Sequence, residues 1–135
     1  MVDLAQLRTG LKGTADLIVG EEHTAPFVGS GRVRVLATPV MINLMEAAAL
    51  DAVERLLPAG HQSLGIRLDV RHYAATPVGM RVRVSAELVK VDGRTLDFRV
   101  EARDEREAIG DGLHQRVVVN VERFDARVQK KIASV

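Results

Sequence analysis

The chain has 135 residues, 47% of them hydrophobic and 27% charged, with a net charge of +1. This is enough for one domain, residues 1–135, with a substantial core, and the near-neutral charge supplies no field to hold nucleic acid or an anionic membrane. Cysteine is absent and aromatic residues make up only 3%. Disulfides, thiolate metal sites and a cysteine nucleophile are excluded, a reducing cytoplasm is expected, and no stacking platform for bases or sugars is available.

The first residues, MVDLAQLRTGLKG, lack the apolar run of a signal peptide and read as a loose or short helical lead-in. Thr14 to Val19 suits a strand with Ala15, Leu17 and Val19 on one side. Glu21 to Gly31 is rich in turn formers and reads as a surface loop or flap. Val33, Val35 and Ala37 alternate with Arg32, Arg34 and Leu36, which predicts a short strand.

The stretch from Thr38 to Leu57 predicts the one long helix, opened by Thr38-Pro39 and stopped by Pro58 and Gly60. Thr38 suits the N-cap through its hydroxyl. Apolar residues surround most of this helix, so it is expected to be covered on most sides. Polar residues interrupt it too often for it to span a membrane. Asp51, Glu54 and Arg55 share a narrow arc that reads as the solvent strip. Glu46 lies off that arc, beside Ile42, Ala49, Leu50 and Val53; the helix alone equally allows a half-exposed Glu at the edge of the stripe or a desolvated carboxylate whose pKa rises unless a partner holds it charged.

After the helix the pattern has period two. His61 to Tyr73 puts Ile66, Leu68 and Val70 on one face, with Arg67, Asp69 and Arg71 opposite and His72 on the apolar parity. Met80 to Leu88 alternates likewise, Asp92-Gly93 signals a hairpin, and Leu96 to Ala102 returns. A last long strand is expected from Ala108 to Phe124, with Gly110 and Gly112 marking a bulge and a basic tail running to Val135. One apolar helix followed by about four long antiparallel strands predicts an α+β hotdog architecture, a curved antiparallel sheet wrapped round a long central helix. Such subunits usually pair because one sheet does not enclose a complete site, so a homodimer is expected.

The segments TPVMINLMEAAALDAV, SLGIRLDVRHYAATPVGM and VDGRTLDFRVEARDEREAIGDGLHQR resemble the fluoroacetyl-CoA thioesterase-like branch of the hotdog superfamily. The most specific pieces are a Glu eight residues after the helix-entrance Thr and the run His-x-Ala-Ala-Thr-Pro-x-Gly. The resemblance implies a hydrolase acting on an acyl-CoA thioester, with Thr38, Glu46 and His72 as the catalytic group. It also implies that Gly65 supplies a backbone N–H toward the thioester carbonyl and that Arg116 belongs to the acyl-CoA site. No cofactor is implied. The aromatic lid of the fluoroacetyl-specific enzyme is not matched by Phe27-Val28-Gly29-Ser30-Gly31-Arg32, so another short- or medium-chain acyl-CoA is the expected substrate.

Read without the resemblance, three of these residues have plainer explanations. Thr38 is an N-cap, His72 a hydrogen-bonded core histidine, and Arg116 a solvated arginine on the strand face opposite Leu113, Val117 and Val119. A capping hydroxyl is also a poorer nucleophile. The residue types allow either His72 or Glu46 as general base, and either acylation of Thr38 or direct attack by water. His23, His61 and His114 lack ligand spacing, so no metal is expected. A non-catalytic acyl-CoA-binding module is the competing reading. A hydratase would need an Asp/His pair, and Asp69 and His72 fall on opposite parities.

Overall fold

The computed structural model describes residues 2–134; Met1 and Val135, at the ends of the lead-in and the tail, lie outside the described residues. Strand β1 (Lys12–Ile18) is followed by a 3-10 turn (Glu21–His23) and a one-turn helix α1 (Ala25–Val28). The long helix α2 (Thr38–Val53) continues as a 3-10 turn (Glu54–Leu56). Strands β2 (His61–His72), β3 (Arg81–Asp92), β4 (Thr95–Asp104) and β5 (Ala108–Asn120) follow, and helix α3 (Val121–Ala133) ends the chain.

All strands join one antiparallel sheet in the order β1-β3-β4-β5-β2. The sheet curls round α2, which is the hotdog fold. Its inward residues are the alternate ones predicted: Val82, Val84, Ala86 and Leu88 on β3 and Leu96, Phe98, Val100 and Ala102 on β4 are all buried. They pack with Met41, Met45, Ala48, Ala49, Ala52 and Val53 of α2. Small residues let the helix come close to β1. A Cβ added to Gly13 would stand 2.2 Å from the Ala48 carbonyl oxygen and 2.4 Å from the Ala52 nitrogen, so no larger residue fits without separating the two elements.

Several boundaries differ from the sequence expectation. Residues 32–35 make bends rather than a strand, Leu36 forms a single bridge with Thr24, and Val33 is 69% exposed. The flap region folds into the 3-10 turn and α1. The last strand stops at Asn120, whose side-chain oxygen accepts from the Arg123 N–H at 3.0 Å and so caps α3. Glu54 is not in a solvent strip: its carboxylate accepts from the Ser63 N–H at 3.0 Å and the Ser63 hydroxyl at 2.7 Å.

Strand β2 is an edge, and α2 packs on β1 and β3 far more than on β2. Its register slips where Gly65 opposes Arg116 but Arg67 opposes Gln115, leaving Ile66 as an inserted residue. A bulge of this kind reverses the alternation along a strand. Ser63 and Gly65 before it therefore share the concave face with Leu68, Val70 and His72 after it. Asp69 opposes Leu113 and His72 opposes Gly110, on opposite faces as the parity predicted.

Candidate active site

The entrance of α2 is held from both sides. The Leu36 N–H donates to the Thr76 carbonyl and the Ala37 N–H to the His23 carbonyl, each at 2.9 Å. Ala37, not Thr38, is the N-cap, and it makes no side-chain capping bond; Pro39 lies in the first turn. The expected cap at Thr38 is thus corrected: Thr38 has already entered the helix, and its hydroxyl is free for another partner. That partner is His72, the last residue of β2, with Thr38 Oγ1 2.7 Å from His72 Nδ1. His72 Nε2 is buried without a hydrogen-bond partner. Burial pushes the His72 pKa below the ordinary imidazole value, opposed by the Ala74 backbone, which favours a neutral ring able to accept a proton. A cleft of about 360 Å³ lies over this pair, lined by Ala25, Val33, Val35 and Leu36 among others. Phe27 does not line it and is 70% exposed.

Glu46 comes eight residues after Thr38 on the same helix, which separates the two by about 12 Å along the axis at 1.5 Å per residue. It joins a second cluster. Glu46 Oε2 is 3.6 Å from Arg116 Nη1, and a Cβ on Gly65 would stand only 2.6 Å from the same carboxylate oxygen. The missing side chain at Gly65 is thus what leaves room for this carboxylate against the strand.

Arg116 is 4% exposed, contrary to the solvated arginine its strand pattern suggests. Its Nε donates to the Ser63 hydroxyl at 2.8 Å, its Nη2 to the Ser63 carbonyl at 2.9 Å, and its Nη1 to His114 Nε2 at 3.1 Å. Ser63 passes the contact on to Glu54. Arg116 thus spends most of its donors inside the protein and presents Glu46 with a counter-charge.

His114 is the residue that sequence reasoning left out. It is buried, stacks on Phe98 with ring centroids 6.1 Å apart, and has both nitrogens bonded. The Arg67 carbonyl, 2.9 Å from Nδ1, can only accept, so Nδ1 carries the proton and Nε2 offers its lone pair to Arg116. Burial lowers the pKa of His114; the Arg67 carbonyl and Glu46 oppose this, and Arg116 adds to it. The available signal was its spacing of two from Arg116, which puts both on one strand face.

The structure therefore brings Thr38 and His72 together at one end of α2, and Glu46, Gly65 and Arg116 together further along it. A hydroxyl against a neutral imidazole is the arrangement of an activated nucleophile or a positioned water. A carboxylate beside an exposed edge backbone suits the handling of a carbonyl and its protons.

Comparison with known proteins bears on this arrangement. The solved structure of the fluoroacetyl-CoA thioesterase FlK matches with a TM-score of 0.87 and 39% identity, over 93% of this chain and 97% of that one. TTHA0967 of Thermus thermophilus, a thioesterase superfamily member, matches with a TM-score of 0.86 and 30% identity, over 95% and 97%. Fold and comparisons define a hotdog thioester hydrolase.

Residues 19–122 match the family described as fluoroacetyl-CoA-specific thioesterase. The fluoroacetyl-CoA thioesterase of Streptantibioticus cattleyicolor is 46% identical over 97 residues, 72% of this chain and 70% of its own length. This chain belongs to that family. Among the described residues no helix is long and apolar enough to cross a membrane.

Proposed function

We propose that the protein hydrolyses a short- or medium-chain acyl-CoA thioester to the free acid and CoA, as a homodimer in the cytoplasm. The observation that carries this reading is the Thr38–His72 contact, made by a hydroxyl released from capping and a ring that burial keeps neutral. Thr38 Oγ1 attacks the thioester carbonyl carbon as His72 Nδ1 takes its proton. The tetrahedral intermediate collapses with cleavage of the C–S bond, and the proton passes from His72 to the departing thiolate. Water then attacks the Thr38 ester, again through His72, and releases the acid. Gly65 lies beside Glu46, so its backbone faces the carbonyl oxygen only where a second copy brings that cluster against Thr38 and His72.

Two features support a site shared between subunits. His72 Nε2 is buried and unpaired, while Glu46 of the same chain is too far along the helix to reach it. The uncovered side of α2 and the edge strand also leave Leu50, Ile66 and Leu68 exposed, at 36%, 53% and 37%. A second copy packed there about a two-fold axis offers its Glu46 to the His72 Nε2–H, completing a hydroxyl–imidazole–carboxylate relay. The cleft beside Thr38 is walled by Val33, Val35, Leu36, Arg32 and Tyr73 and has no phenylalanine, which supports an acyl group other than fluoroacetyl.

Thiol release from a panel of acyl-CoA esters tests the activity, and mixed dimers test the sharing. Thr38→Ala and Glu46→Gln each abolish turnover alone. Mixed and refolded together, they form heterodimers with one intact shared site and regain about a quarter of wild-type activity by random pairing. No recovery on mixing places the whole site within one subunit. No thiol release from any ester, with retained acyl-CoA binding, makes the protein a binding module.

A further inference from the structure

At the end of the sheet where β2 begins and β5 ends, two adjoining clefts of about 420 and 320 Å³ share Arg94, Asn120 and Arg123. Arg127 lines one of them, and His61 lines the other together with Asp3 and Val2. The three arginines come from two separate elements. Arg94 follows the Asp92-Gly93 turn of the β3–β4 hairpin, whereas Arg123 and Arg127 stand one helical turn apart on α3. The Arg127 guanidinium lies over the Phe124 ring, 5.8 Å from its centroid, which limits where it can swing.

These cations differ from many others on the molecule. Arg34, Arg67, Arg71, Arg81, Arg83 and Arg116 each stand within 4.0 Å of a carboxylate. Among the described residues, Arg94, Arg123 and Arg127 have no carboxylate within that distance. Asp3 is the one acidic residue that lines either cleft. In a chain of net charge +1, three guanidinium groups without a carboxylate partner around two adjoining clefts leave a local positive charge at this end of the sheet. Bidentate donors on a concave surface suit phosphate oxygens.

Their position relates them to the site. Gly65, beside Glu46, and His61, on the rim of one cleft, lie four residues apart on β2. Four strand residues span about 13 Å at 3.3 Å each, a separation that a pantetheine arm bridges. We propose that Arg94, Arg123 and Arg127 form an anion site for the phosphates of the coenzyme A moiety, remote from the reacting thioester. This rests on the acyl-CoA reading above and adds to it the residues that recognise the carrier.

The test compares one acyl group carried on coenzyme A and on phosphate-free pantetheine. For Arg94→Ala/Arg123→Ala/Arg127→Ala, the ratio of kcat/KM for the CoA ester to that for the pantetheine ester falls at least about tenfold, through KM. The wild-type KM for the CoA ester rises with salt, and the variant loses most of that dependence. Arg99→Ala/Arg103→Ala/Arg106→Ala, at exposed arginines on the outer face of β4 and in the turn after it, removes the same three charges, keeps the wild-type ratio and so controls for net charge. An unchanged ratio in the triple variant, with circular dichroism showing it folded, overturns the site. Should the triple variant not fold, Arg123→Glu alone replaces it and must show the same fall. If wild type hydrolyses neither ester, the hydrolase reading fails, and calorimetry with free CoA still decides the site: binding that survives the three substitutions overturns it, and binding lost with them supports it.

Discussion

Replacing Arg116 with Met removes the guanidinium while keeping most of its volume, and the structure allows the cost to be worked out. The Ser63 hydroxyl still donates to Glu54, so it is not orphaned. The Ser63 carbonyl and His114 Nε2 each lose their Arg116 donor in a buried setting, and a stranded acceptor costs about 1–3 kcal/mol. The contact with Glu46 is discounted, because that side chain is 36% exposed and solvent screens it. The thioether recovers part of the packing, leaving a net loss of about 2–4 kcal/mol. Urea unfolding should show this as a lower midpoint with an unchanged slope. An independent readout follows from His114, whose pKa Arg116 helps to depress. In Arg116→Met an imidazole titration by NMR should move upward. A loss below about 1 kcal/mol, or a downward shift of His114, refutes the picture of Arg116 as the buried anchor of this cluster.

Thr38→Val should reduce kcat at least about a hundredfold while costing only about 1 kcal/mol in thermal or urea unfolding, because no cap is lost; a larger loss of stability with activity retained restores the capping role. Gly13→Ala should destabilise by about 2–3 kcal/mol, since its Cβ meets helix backbone rather than a movable side chain. His72 and His114 both have pKa values lowered by burial. Below about pH 6.5 the unfolded chain therefore takes up protons that the folded one refuses, and stability should fall as pH drops through that window. Urea titrations at pH 7.5, 6.0 and 5.0 check the slope, which should flatten in His114→Gln; a His114→Gln slope equal to wild type would argue against the assignment.

Much of the fold was legible because local signals agreed with the final packing. Thr38-Pro39 and Pro58 bracketed α2, Asp92-Gly93 fixed the hairpin, and strict alternation on β3 and β4 marked their inner faces. The failures lie where a distant contact decides the outcome. Arg32 to Ala37 alternates like a strand, but no neighbouring strand pairs with it, so it bends. The β5 pattern runs past Asn120 in apolar terms, and only the cap shows that a helix begins. On that strand Leu113 is 55% exposed while His114 and Arg116 are buried. Their solvation is replaced by Ser63, the Arg67 carbonyl and Glu46, none of them close in sequence. Spacing and resemblance nominated Thr38, Glu46 and His72 as one group; within one subunit, Glu46 stands eight residues further along the helix than Thr38.

The inserted residue at Ile66 sets how β2 must be read. The strand is two segments of opposite phase, one carrying Gly65 and the other His72, joined at a single point of slippage. Gly65 and His72 are an odd number of positions apart, and only the extra residue between them lets both face α2. Deleting Ile66 would make that spacing even and the pairing with β5 regular, so Gly65 would keep Glu46 and His72 would keep Thr38. The slippage point is thus where this strand can lose a residue without losing a face, whereas its length elsewhere is fixed by the pairing.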